Sequence, residues 1–135
     1  MTRRVLSALL AAAALAAAGC GSTTDDVKST VNNYLKAFVN GDGKTACSLM
    51  TKDTQQRIVA LMHTTDCITG VTAFGRRYHA TLQGLKRFKI TNVKVSGNDA
   101  VATLVAKTAA GPTGSETILR KEGGHWRIAA APGTQ

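Results

Sequence analysis

Residues 88–128, FKITNVKVSGNDAVATLVAKTAAGPTGSETILRKEGGHWRI, decide the fold. Phe88 and Ile90 alternate with polar neighbours, and so do Val93 and Val95, which is the period of a strand with one buried face. The phase slips by one residue between Ile90 and Val93, so a bulge is expected near Thr91-Asn92. Gly97-Asn98 reads as a hairpin turn. Val101 to Lys107 is a second strand, apolar on both faces. Ala109 to Ser115, with Gly111-Pro112 and Gly114, reads as a loop. Thr117 to Glu122 is a third strand and Gly123-Gly124 a tight turn. His125 to Ala129 is a fourth strand, with Trp126 and Ile128 on one face.

Upstream of Gly84 the period is helical. Asp25-Asp26 puts negative charge at a helix start, where the dipole favours it. Val27, Val31, Tyr34, Leu35 and Phe38 then form one apolar stripe, and Asn40-Gly41 supplies a left-handed end. Asp42 can cap a short second helix carrying Ala46, Cys47, Leu49 and Met50. Thr51 opens a third, with Ile58, Leu61 and Met62 inward. Asp66 caps a fourth, with Cys67, Val71, Phe74 and Tyr78 on one face, although Gly70 and Gly75 each weaken it by about 1 kcal/mol relative to Ala. Helices first and a meander after them give a single α+β domain over 27–130, with N-terminal helices packed on an antiparallel sheet of about four strands.

The N-terminus has another task. Met1-Thr2-Arg3-Arg4 is a short basic start, and Val5 to Ala18 carries no charge and only one polar residue, Ser7. This is the layout of a secretory signal over 1–19, too short for a spanning helix, which needs about 20 apolar residues. It ends at Ala17-Ala18-Gly19-Cys20, which resembles the lipobox of bacterial lipoproteins, with Ala17 where Leu is usual. Cys20 is the thiol that takes a diacylglyceryl group. The alternative is ordinary cleavage after Ala18, leaving Cys20 as a free thiol. Residues 20–26 become a short tether and 131–135 a tail. The expected location is the outer face of a cell membrane, or its periplasmic side.

The formal net charge is +9 and stays strongly positive once Arg3 and Arg4 are removed with the signal. Of three cysteines, two remain when Cys20 is set aside. Cys47 and Cys67 are an even pair in an oxidising compartment, either bridged or buried as free thiols. The face assignment points Cys67 inward on the first turn of its helix, toward Cys47. Neither has a His or Cys at metal-ligand spacing.

Three segments carry a family resemblance: Tyr34-Leu35-Lys36-Ala37-Phe38-Val39-Asn40-Gly41-Asp42 followed by Ala46-Cys47-Ser48-Leu49-Met50; Val93-Lys94-Val95-Ser96-Gly97-Asn98-Asp99-Ala100; and Leu119 to Ile128, LRKEGGHWRI. In this order the chain resembles small exported lipoproteins with the nuclear transport factor two-like (NTF2-like, cystatin-like) fold, common in actinobacteria. The resemblance implies a curved sheet wrapping a long helix into a cone with a pocket at its wide end. It also implies the Cys47–Cys67 bridge. It implies no reaction, since the fold hosts enzymes, binding modules and adaptors alike.

Enzymes on this fold generally place a carboxylate, often with a His or Tyr, inside the cone. Here the inward positions are apolar: Val31, Leu35, Phe38, Phe74, Val93, Val95 and Ile128. His63 lies three residues before Asp66, so a His–Asp pair is the one catalytic candidate, against a solvated helix end. His79 and His125 fall off the apolar faces, and Tyr34 and Tyr78 fall on them. No phosphate loop, nucleophile elbow or zinc signature is present. The basic run Arg76, Arg77, Lys86, Arg87, Lys89 and Lys94 has no acidic residue among it. It is either a solvated face or a surface attracted to anionic lipid headgroups or an acidic partner. Nucleic acid is excluded as a partner for an exported chain with no exposed aromatic ladder. The expected protein is a non-catalytic envelope lipoprotein, without cofactor or metal. Its cone binds a small apolar ligand or an envelope protein. The alternatives are a structural adaptor with a filled core, or an isomerase- or hydrolase-like enzyme using His63 and Asp66.

Overall fold

In the computed structural model, which describes residues 23–130, five helices precede a four-stranded antiparallel meander of order β1-β2-β3-β4. Signal, Cys20 and tail lie outside the described residues. The helices are α1 (Thr23–Val39), α2 (Gly43–Ser48), α3 (Lys52–Met62), α4 (Cys67–Arg77) and α5 (His79–Leu82). A 3-10 turn over Gln83–Arg87 leads into β1 (Lys89–Ser96), β2 (Asp99–Thr108), β3 (Gly111–Glu122) and β4 (His125–Ala130).

Local chemistry sets the helix starts. The side chains of Asp42, Thr51 and Asp66 accept from the backbone N–H groups of Thr45, Thr54 and Thr69, each satisfying a donor that the first turn leaves open. The first helix begins earlier than the apolar stripe does. Thr23 to Asp26 form its first turn with Asp25 and Asp26 at the positive end of the dipole.

The bulge in β1 falls between Ile90 and Asn92, and the hairpin turns at Gly97 with φ 59°. The 109–115 loop is corrected. Only Ala109-Ala110 turn, Gly111 takes φ 111°, and Pro112 to Ser115 pair with Lys107 to Leu104 as the first half of β3. This half has β2 beside it but not β4, whose pairing begins at Ile118. It is therefore an edge, where Pro is tolerated.

One sheet face is buried chiefly against α1, with α3 packed beside β4. Val27, Val31, Tyr34 and Ala46 pack with Ala100, Ala102, Leu104, Leu119, Trp126 and Ile128. The small residues of β2, Ala100 and Ala102, leave room for the helix to lie close to the strands. The free edge of β4 is covered by the α2–α3 connection: Ile128 N–H donates to Leu49 O at 2.7 Å and Thr51 N–H to Ile128 O at 2.9 Å. A register shift in β4 presents Ala129 O, which accepts from the Thr54 hydroxyl at 2.8 Å. Three expected core positions are not buried: Leu61 is 71% exposed, Tyr78 41% and Val95 39%. Leu61 sits one residue from the end of α3, Tyr78 is the residue after α4, and Val95 is the last residue but one of β1, so each lies at the end of its element.

Candidate functional site

A cleft of about 550 Å³ runs between the second half of α1 and the segment that enters β1. Its floor is apolar: Leu35 and Val39 from α1, Leu85 from the 3-10 turn, Phe88 and Ile90 beyond it. Its rim is cationic. Lys28 and Lys36 stand on α1 with Asn32 between them, one ridge of residues four apart, and Lys86 and Lys89 stand opposite. No acidic side chain lines it among the described residues. The volume falls in the range of small-molecule sites, roughly 300–1,000 Å³.

Of the basic residues singled out in the sequence, the structure brings Lys86 and Lys89 into this cleft. Arg87 and Lys94 are exposed but do not line it. Arg76 and Arg77 lie in the last turn of α4, outside the cleft, and the Arg77 guanidinium sits 5.6 Å from the Tyr78 ring centre. Lys28 and Lys36 were missed. Their spacing on the polar side of α1 was readable, but nothing in the sequence says that β1 runs opposite them.

The Cys47–Cys67 disulfide joins α2 to the first turn of α4, with Cα atoms 6.1 Å apart. His63 ends α3 in a left-handed conformation (φ 51°) and is exposed. The Asp66 carboxylate accepts from Thr69 N–H at 2.8 Å, from the Thr69 hydroxyl at 2.8 Å and from the Thr65 hydroxyl at 3.1 Å. These bonds, the Thr69 N–H first, hold its carboxyl below the usual carboxylate range and commit it to capping α4. Burial pushes the Tyr34 phenol well up, so it stays neutral in the core. No group of three or more His, Cys, Asp or Glu that could hold a metal occurs among the described residues.

A second cleft, on the other side of α1, is lined by Asp26, Ser48, His125, Trp126 and Arg127, among others. Arg127 closes part of it by donating to Ser48 O. The Trp126 indole N–H is buried without a protein partner among the described residues.

No family model and no curated protein matches the chain. Solved structures do. A candidate NTF2-like transpeptidase from Campylobacter jejuni superposes with a TM-score of 0.52 at 13% identity, over 82% of this chain and 100% of that one. An NTF-2 like protein of unknown function from Shewanella oneidensis MR-1 has a TM-score of 0.46 at 16% identity, over 78% and 93%. The domain has the NTF2-like fold that the sequence resemblance implied. That fold serves ligand-binding and enzyme-like cone domains in general. No single helix among the described residues is long and apolar enough to cross a membrane.

Proposed function

We propose that the protein is an exported lipoprotein, held to a membrane by a diacylglyceryl group on Cys20, whose domain binds a small ligand with apolar surface in the cleft beside α1. The observation that carries the binding role is the make-up of the cleft, an apolar floor of five side chains beneath a polar rim, where the second cleft of equal volume offers only Leu49 and Trp126. The reading is non-catalytic. The cleft lining offers no carboxylate, imidazole or thiol among the described residues, and Asp66 is occupied as a helix cap.

Anchoring suits this role. Three residue steps from Cys20 to Thr23, at no more than about 3.6 Å each, keep the start of α1 within roughly 11 Å of the lipidated residue. Lys28 is five residues further on, about 7.5 Å along the helix. A membrane-derived ligand would have a short path to the cleft.

Two measurements test the proposal. Cys20→Ala should move the protein from the membrane fraction to the soluble exported fraction; a variant that stays membrane-bound after signal removal refutes the anchor. Native mass spectrometry of the protein purified from its own membrane should show a retained ligand, lost in Asn32→Trp, whose indole would fill the cleft from an exposed position on α1. A ligand-free wild type, or equal retention by the filled variant, refutes the binding site.

A further inference from the structure

We infer that the cleft takes an anionic amphiphile, a single carboxylate or phosphate head on an aliphatic tail. The inference rests on the binding role proposed above and names the chemistry of its ligand.

The composition of the lining carries it. Lys28, Lys36, Lys86 and Lys89 come from three different elements, α1, the 3-10 turn and β1, and converge on one cleft whose floor includes Leu35 and Phe88. A solvated face arises when charges follow the polar side of one helix. Here the chain crosses from α1 to β1 and places lysines on both sides of a shared apolar strip. With no acidic side chain in the lining, the four ammonium groups repel one another and focus a positive potential into the groove. A neutral apolar ligand would cover the floor and leave that potential unanswered. A small inorganic anion would answer the potential and leave the floor wet. An amphiphile does both: its head sits among the ammonium groups, while its tail lies on the floor and against the aliphatic lysine stems.

The test uses the full chain carrying Cys20→Ala, purified from the exported fraction, in calorimetric titrations at low salt. The probes are decanoate, decyl phosphate, decanol and inorganic phosphate. Decanoate or decyl phosphate should bind at least about tenfold more tightly than decanol or inorganic phosphate, and raised salt should weaken only the charged amphiphile. Whichever of the two binds more tightly identifies the head group. Lys28→Gln and Lys36→Gln should each weaken the charged amphiphile by up to about fivefold, and leave decanol unchanged. Equal binding of decanol refutes the anionic head while leaving the cleft as the binding site. Inorganic phosphate binding as tightly as the amphiphiles refutes the tail. If none of the four binds, both this inference and the binding role fall.

Discussion

Gly75, in the last turn of α4, lies against the backbone of Gly41, which ends the turn out of α1 with φ 68°. A Cβ at Gly75 would fall on the Gly41 Cα, well inside van der Waals contact. The neighbouring Gly43 makes a similar approach to Ile68 O. The α1–α2 connection therefore packs on α4 backbone to backbone, which explains glycine inside a helix that it otherwise weakens.

Gly75→Ala should accordingly destabilise the domain. Alanine gains about 1 kcal/mol of helix propensity, but the clash is with main chain, which cannot rotate away, and overpacking of this kind costs typically about 1–3 kcal/mol. A loss of several degrees in melting temperature is expected. Gly84→Ala is the control, since nothing among the described residues lies within 4 Å of its added Cβ. It should melt at or slightly above wild type. A stabilised Gly75→Ala protein would show that α4 does not sit against Gly41.

The disulfide ties α2 to the opposite end of α4. Its cysteines are 20 residues apart, and in the chain-entropy model a loop of that size contributes about 3 kcal/mol. Replacing both Cys47 and Cys67 by alanine should lower stability by roughly that amount in denaturant titrations. Peptide mapping without reductant should find the two residues in one linked fragment. Free alkylation of both thiols in the native protein would contradict the bridge.

Acid should weaken the two aspartate caps. Hydrogen bonds from the Thr45 hydroxyl and N–H hold the Asp42 carboxyl low, and those from Thr69 do the same for Asp66. A depressed native value means that each carboxylate's contribution is fully present above the unfolded-state value and is lost as pH falls through the native one. Stability should therefore drop from about pH 4 downward. Asp66→Asn keeps a capping oxygen but no longer titrates, so its acid limb should be shallower than wild type. Identical acid profiles would show that the cap is not linked to folding.

These caps were legible because capping is local: Asp42, Thr51 and Asp66 each bond a backbone N–H three residues on. The β1 bulge and the hairpin at Gly97 were legible for the same reason, since a phase slip and a positive-φ turn leave marks in a few adjacent residues. Periodicity shows which face of α1 is apolar, but not what stands opposite its other side. Lys28 and Lys36 therefore became part of a site only when the fold brought Lys86 and Lys89 against them. The short α5 was missed because His79–Leu82 is too brief to establish a period. The first half of β3 was missed because Gly111, Pro112 and Gly114 are turn residues that an edge strand also accepts.

Trp126 separates two contributions to core stability. The residue is 5% exposed and lies in the main core cluster, on the strand beside Leu119, with the Lys121 ammonium 5.7 Å from its ring centre. Truncation to Ala removes most of that buried volume and should cost about 3–5 kcal/mol, a large part of the roughly 5–15 kcal/mol typical of a domain. The buried indole N–H, however, meets no protein acceptor among the described residues, so there it is desolvated without a protein bond. Trp126→Phe deletes the unpaired donor together with part of the ring. Two effects then oppose: lost packing destabilises, and relief of the unpaired N–H stabilises. The Phe variant should therefore lose well under half of what the Ala variant loses in denaturant titrations. If Phe and Ala prove equally damaging, the N–H must have a partner that contributes to folding. If Ala melts within a degree or two of wild type, Trp126 is not a core anchor.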